Sequence, residues 1–321
     1  MRFLQNIVVE AAVEATYGSA ASMTGADAML LDNVSIGPFR ATNIPRNLVR
    51  GYQGASPQLV GTGYVEVNGT FELAGAGAAT TPPKWGRLMK CMGFAETVGA
   101  ASVDYTLVST FGANSSVTLD YFLDGVRHQL LGVRGSWDLA MNVNGRPEMR
   151  VRLVGKYNGI STAANPTPDY TAFKDPIAVT DTNTGDLAIG SVTYTGATGT
   201  ISGGTNYIST GLQLSSGNNV VFQELLGDAR VLITQREITG RISLDLSPAD
   251  VVSFLGAVRA NTLTALGLTH GTAAGGTIVV YSPSFQRLDP AISDADGVAM
   301  NDYAIRLVPV SGNDELRIVA R

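Results

Sequence analysis

A strand, a proline-started helix and a run of strands broken by a polar turn occur in the same order in both halves of this 321-residue sequence. In the first half, Asn68-Gly69-Thr70-Phe71-Glu72-Leu73 leads past Pro83 into an apolar stretch, Trp85 to Met92, that stops at Gly93. In the second, Thr239-Gly240-Arg241-Ile242-Ser243-Leu244 leads past Pro248 into Asp250 to Leu255 and a stop at Gly256. A polar turn follows in each, Asn142-Val143-Asn144-Gly145 and Asp294-Ala295-Asp296-Gly297, and then an alternating strand, Met149 to Val154 and Tyr303 to Val308. Few paired positions are identical; the pattern is what repeats. Two similar folding units in one chain suit a building block in which each unit meets a near-copy of itself in a closed assembly. A structural protein is therefore the leading class.

Alternation sets the fold class. Tyr64, Glu66, Asn68, Thr70 and Glu72 fall on one face of a strand, with Val65, Val67, Phe71 and Leu73 on the other. The second half repeats this with Gln235, Glu237, Thr239, Arg241, Ser243 and Asp245 against Ile238, Ile242, Leu244 and Leu246. The helical pieces would cover the dry faces through Leu88, Met89 and Met92, and through Val251, Phe254 and Leu255. Only 15% of residues are charged while glycine numbers 37, which suits short strands joined by many turns. The expected fold is mainly β (α+β), with two tandem β-sandwich or barrel units, each flanked by a short α-helix.

Punctuation sets the boundaries. Residues up to Asp27, rich in Ala, Gly and Ser, read as an N-terminal arm that docks elsewhere, and Leu30 to Ile36 as the first strand. The connection from Gly37 to Gly63, broken by Pro and Gly, carries Arg40, Arg46, Arg50 and Tyr52 beside Ile44, Leu48 and Val49. That mixture suits a partner contact better than an idle surface loop. Asp124-Gly125 marks a hairpin, and Trp137, Leu139 and Met141 give another half-buried strand. The first unit is expected over 1–156. A linker with Pro166, Pro168 and Pro176 spans 157–185, and the second unit spans 186–321, opening on a Thr/Gly-rich segment with an added hairpin at Ser191 to Thr195.

Catalytic chemistry is hard to find. His128 and His270 have no metal-ligand spacing to Cys, Asp or Glu, and Asp294 to Gly297 lacks the further oxygens and terminal Glu of a calcium loop. The Gly196 to Gly204 run lacks the Lys-Ser/Thr ending of a phosphate loop, and no Gly-x-Ser-x-Gly opens a helix. Cys91, the single cysteine, sits among Leu88, Met89 and Met92 and reads as core. No enzyme, cofactor or metal is expected. With 22 Lys and Arg against 27 Asp and Glu, the chain has a net charge of −5, which disfavours a surface that grips phosphates. Nothing approaches the roughly 20 apolar residues of a membrane span, and Glu10 and Glu14 interrupt any secretory signal, so synthesis in a cytoplasm is expected.

Several stretches resemble the major tail tube protein of long-tailed, non-contractile (siphovirus-type) bacteriophages. They are Val13-Glu14-Ala15-Thr16-Tyr17-Gly18, Thr24-Gly25-Ala26-Asp27, Pro57-Gln58-Leu59-Val60-Gly61, Phe71-Glu72-Leu73 and Trp85 to Phe94. To these are added Asp124-Gly125-Val126-Arg127-His128, Val151 to Asn158 and Gly312-Asn313-Asp314-Glu315. The resemblance implies a virion protein, assembled in the bacterial host cytoplasm, whose strands join those of its neighbours into stacked hollow rings that form the conduit for DNA. It implies contacts between rings through the long loop, with Arg40, Arg46, Arg50 and Tyr52, and through the residues before Asp27. If the polar faces line the bore, Glu66, Asn68, Thr70, Glu72, Glu237, Thr239 and Asp245 face passing DNA, and Arg241 needs an acidic neighbour. The implied partners are the chain itself, tape-measure, tail-terminator and distal tail proteins, and transient, non-specific DNA, with no membrane. Two units per chain favour a homotrimer with pseudo-six-fold symmetry; the alternative is a homohexamer with the second unit displayed outside. Two other functions fit the composition. One is a sugar-binding surface adhesin using Trp137 and tyrosines, and the other is the tube of a contractile injection machine.

Overall fold

The alternating segments become strands in the computed structural model, which describes residues 2–112 and 114–321. The first half runs β1 (Ile7–Val13), β2 (Asp32–Ile44), β3 (Leu59–Glu72), α1 (Gly86–Cys91), β4 (Phe94–Val98), β5 (Val103–Leu107), β6 (Val117–Leu123), β7 (Val126–Asn142) and β8 (Glu148–Thr162). The second runs β9 (Leu187–Thr195), β10 (Thr200–Tyr207), β11 (Ser209–Ser215), β12 (Val220–Leu225), β13 (Asp228–Ile233), β14 (Thr239–Leu244), α2 (Pro248–Arg259), β15 (Thr264–His270), β16 (Ile278–Ala295), β17 (Val298–Leu307) and β18 (Arg317–Ala320). The protein is mainly β, built on a large antiparallel sheet with two helices.

Neighbouring strands follow one order in both halves. It is β2-β3-β8-β7-β6-β1 in the first and β11-β14-β17-β16-β15-β9 in the second. Each helix follows the matching strand, β3 or β14, and the matching pairs of long strands, β7–β8 and β16–β17, are joined through turns with a left-handed residue, Asn144 at φ 60° and Asp296. Asp296 and Gly297, with φ of 53° and 88°, close β16 onto β17, and Asp124 and Gly125, with φ of 43° and 87°, close β6 onto β7. These are the paired positive φ values that a two-residue hairpin needs. The halves differ by insertion, the β4–β5 hairpin occurring only in the first and β10 only in the second, and where β2 and β3 run on as one long hairpin the second half has the separate β12–β13 hairpin.

One sheet crosses both halves. β11 pairs with β14 along one edge and with β7 along the other, from Gly211 opposite Asn142 to Ser215 opposite Asp138. Gly211 has a φ of 123°, and a Cβ there would fall on the Met141 carbonyl oxygen, so a glycine is required where β11 joins β7. A second join is made by β18, which pairs with both β16 and β5. The dry faces meet in one continuous core that includes Val67, Phe71, Trp85, Leu88, Met89, Trp137 and Leu139 from the first half and Ile242, Leu244, Phe254, Phe285 and Tyr303 from the second.

Four local expectations are corrected. Ile7–Val13 is a core strand paired with β6 and not a free arm, with Val9 and Ala11 buried. The first strand runs on to Ile44, so much of the expected irregular connection is a long β2–β3 hairpin whose turn spans 45–58. Its outer edge bonds to no strand among the described residues, which is how β2 accommodates Pro38. α2 passes through Gly256 to Arg259, because one interior glycine costs only about 1 kcal/mol. Tyr157 to Thr162, read as linker, extends β8.

Candidate functional site

The cross-strand register carries a single polar face across the whole sheet. Thr70 lies opposite Arg150, Arg150 opposite Asp138, Asp138 opposite Ser215, Ser215 opposite Thr239, and Thr239 opposite Arg306. Opposed residues point to the same side of a sheet. The predicted positions of β3 and β14 therefore share one surface, although they lie far apart in sequence. Val65, Val67, Phe71, Leu73, Ile238, Ile242 and Leu244 are buried on the other side, while Glu66, Asn68, Glu72, Glu237, Thr239 and Asp245 keep solvent contact and Thr70 is covered.

Most charges of this face are paired, while among the described residues the Asp138 and Asp245 carboxylates have no ion-pair partner. Arg152 donates to Glu66 at 3.0 Å, and Arg40 stands 3.6 Å from the same carboxylate. The hydrogen bond from Arg152, reinforced by both cations, holds the Glu66 carboxyl below its usual range and raises Arg152 in turn. Arg146 donates to Glu72 at 3.0 Å, to Glu148 at 3.2 Å and to Asp32. In the second half, Arg306 pairs with Glu237 at 2.7 Å, and Arg241 has its acidic neighbour in Asp302 at 3.4 Å. The face is thus a mosaic of neutralised pairs and not a field of bare carboxylates. Arg146, Arg150, Arg152 and Arg306 were missed as members. The alternation of Arg150 and Arg152 within Met149 to Val154 was the available signal.

The four residues of the expected contact loop do not share one setting. Arg40 lies on β2 beside the polar face, whereas Arg46, Arg50 and Tyr52 lie on the turn beyond it, where the Arg50 guanidinium carbon stands 5.9 Å over the Tyr52 ring. Tyr52 is 70% exposed, and Ile44, Leu48, Val49 and Val60 around it are exposed as well. The corresponding position in the second half holds the β12–β13 hairpin, which lies on the first half. There, Phe222 meets Tyr64 at 5.3 Å between ring centroids, and Val231 donates its N–H to the Tyr17 hydroxyl at 2.6 Å. The Val231 carbonyl accepts from Arg134 at 2.9 Å, and that guanidinium stacks on Tyr17 and Phe111.

The remaining candidates for chemistry are structural in their settings. Among the described residues no group of His, Cys, Asp and Glu could hold a metal ion. His270 bonds Thr184 through Nδ1 at 2.8 Å and the Ile177 carbonyl through Nε2 at 3.1 Å, and His128 is buried edge-on to Tyr121. Burial pushes both imidazoles below their ordinary pKa. The Cys91 thiol is fully buried and pushed up to about 12, far from a reactive thiolate. Trp137, the candidate platform for a sugar ring, is buried in the core. No helix among the described residues is long and apolar enough to cross a membrane.

Residues 5–312 match the protein family described as phage tail tube protein. No curated protein matches the chain.

Proposed function

Since the chain belongs to the phage tail tube protein family, we propose that it self-assembles into hollow rings, stacked into the tube through which DNA leaves the virion for the host cell. One observation carries this reading: a single polar face crosses both halves through β11, so each chain supplies two equivalent sectors of one wall. A second half hung outside the wall would not share its ladder with the first. The reading is a homotrimer with pseudo-six-fold symmetry, in which Glu66, Asn68, Thr70, Glu72, Glu237, Thr239 and Asp245 line the bore.

Such a wall passes DNA because it does not hold it. Binding to a duplex is driven by cations that displace condensed counterions. Here Arg152, Arg146, Arg306 and Arg241 are each engaged by a carboxylate and have little charge left for phosphate. Arg46, Arg50 and Tyr52 project on the turn beyond the polar face and suit contact with the next ring. Tape-measure, tail-terminator and distal tail proteins are the further partners of this reading, which places assembly in the host cytoplasm. Negative-stain electron microscopy of the concentrated, purified chain tests it. Hollow tubes of stacked rings are expected; persistent monomers across concentrations and salts would overturn it.

A further inference from the structure

The occupied seam inside the chain has an unoccupied counterpart at its two ends. Within the chain, β11 supplies its free edge to the C-terminal part of β7, whose N-terminal part already holds β6 on that side. By strand order and register, β11 corresponds to β2 and β7 to β16. Gly69 matches Gly240, which makes Asp32 and Ser35 the counterparts of Gln213 and Ser215. Met149 matches Tyr303, which makes Ala291 and Leu288 the counterparts of Ala140 and Asp138. Among the described residues β2 pairs only with β3, and β16 beyond Phe285 pairs only with β17. Both therefore present an open edge where their counterparts are joined.

We propose that the outer edge of β2 in one copy of this chain adds to the open edge of β16 in a second copy, antiparallel, with Asp32 opposite Ala291 and Ser35 opposite Leu288. The proposal rests on the ring reading above and names the contact that closes the ring. Its strongest support is a pair of irregularities that match. β2 carries one more residue between Asp32 and Ser35 than β11 has between Gln213 and Ser215, and β16 carries one more between Leu288 and Ala291 than β7 has between Asp138 and Ala140. Each contains a left-handed residue, Asn33 with φ of 51° and Asp289 with φ of 47°. In the proposed pairing the two extra residues fall opposite each other, so the register is kept on both sides; a bulge on one strand alone would break it. Pro290 sits within the bulge, where its missing N–H removes no ladder bond.

The side chains agree. In the internal seam Leu212 lies opposite Met141, and both are fully buried. Their counterparts are Leu31, half-buried, and Ile292, an isoleucine left 77% exposed on a strand. Closing the seam covers Ile292 with Leu31. It also places the apolar β2–β3 turn over the second half of the neighbour, as β12–β13 lies over the first. The correspondence ends at Leu30, which stands in the place of Gly211, so the ladder begins at Leu31.

A double variant, Asp32→Cys with Ala291→Cys, tests the contact, since both sites are exposed and the native Cys91 is buried. Mild oxidation, or a short bis-maleimide, is expected to give covalent dimers and larger species only in assembled material. Asp32→Cys with Asp294→Cys, three residues out of register, is expected to stay uncross-linked. In parallel, amide hydrogen exchange of the unmodified chain is expected to slow over Leu31 to Ile36 and Gln286 to Ser293 on assembly. Tubes that form without the cross-link and without that protection would overturn the proposal while leaving the tube reading intact; a chain that forms no tube would remove both.

Discussion

The two halves share a strand order but differ in which of their surfaces are covered. In the first, α1 has Leu88, Met89 and Cys91 fully buried, β7 is paired along both edges, and the β12–β13 hairpin lies over it. In the second, α2 buries only Phe254 and leaves Val252 72% exposed, and the C-terminal part of β16 has one open edge. The first half has an uncovered surface of its own, the apolar turn of the β2–β3 hairpin, counterpart of β12–β13. On the proposal above, equal ladders with unequal cover separate the surfaces of the monomer from those that a neighbour would cover. The internal seam is the pattern for the external one.

The largest expected effect is on the helices. Leu88→Ala removes a fully buried side chain from the core and should cost about 3 kcal/mol of unfolding free energy in the unassembled chain. Val252→Ala, on the exposed face of α2, should change it by less than about 0.5 kcal/mol. Denaturant titration of both variants reads this difference, and similar losses would show that the contrast between the helices is not real. A smaller effect separates the strands at the outer edges. Glu10 and Asp120 lie directly opposite on β1 and β6, both buried, each with one oxygen lacking a partner. Burial, and then the charge of Asp120, push the Glu10 carboxyl above its ordinary pKa. The native state therefore holds more protons than the unfolded state between the ordinary and the raised value, and stability falls as pH rises through that window. Glu10→Gln should raise the midpoint of thermal unfolding at pH 7, with the gain fading as pH drops below the ordinary carboxylate range. A gain that is constant with pH would remove the charge from the explanation.

What could be read in the sequence was what depends on local period. The faces of β3 and β14 follow from alternation alone, and the turns at Asp124-Gly125 and Asp296-Gly297 from residues that tolerate positive φ. β1 escaped because Glu10 and Glu14 break its apolar run. Glu14 is buried only because Gly18, Ser116, Thr118 and Gly132 all donate to its carboxylate, and most of them lie over a hundred residues away. β2 was cut short at Gly37 and Pro38, breakers within a strand but tolerable on an edge. The charge pairing of the polar face stayed hidden for a similar reason. That Arg152 meets Glu66, and Arg306 meets Glu237, depends on register between strands, which no single strand encodes.

The central claim is that each chain contributes two equivalent sectors to one ring, and averaging end-on views of assembled tubes by cryo-electron microscopy tests it most directly. Three-fold symmetry with six similar lobes around the bore is the predicted result. Six-fold symmetry with six further knobs on the outside would contradict it, because the second half would then lie outside the wall.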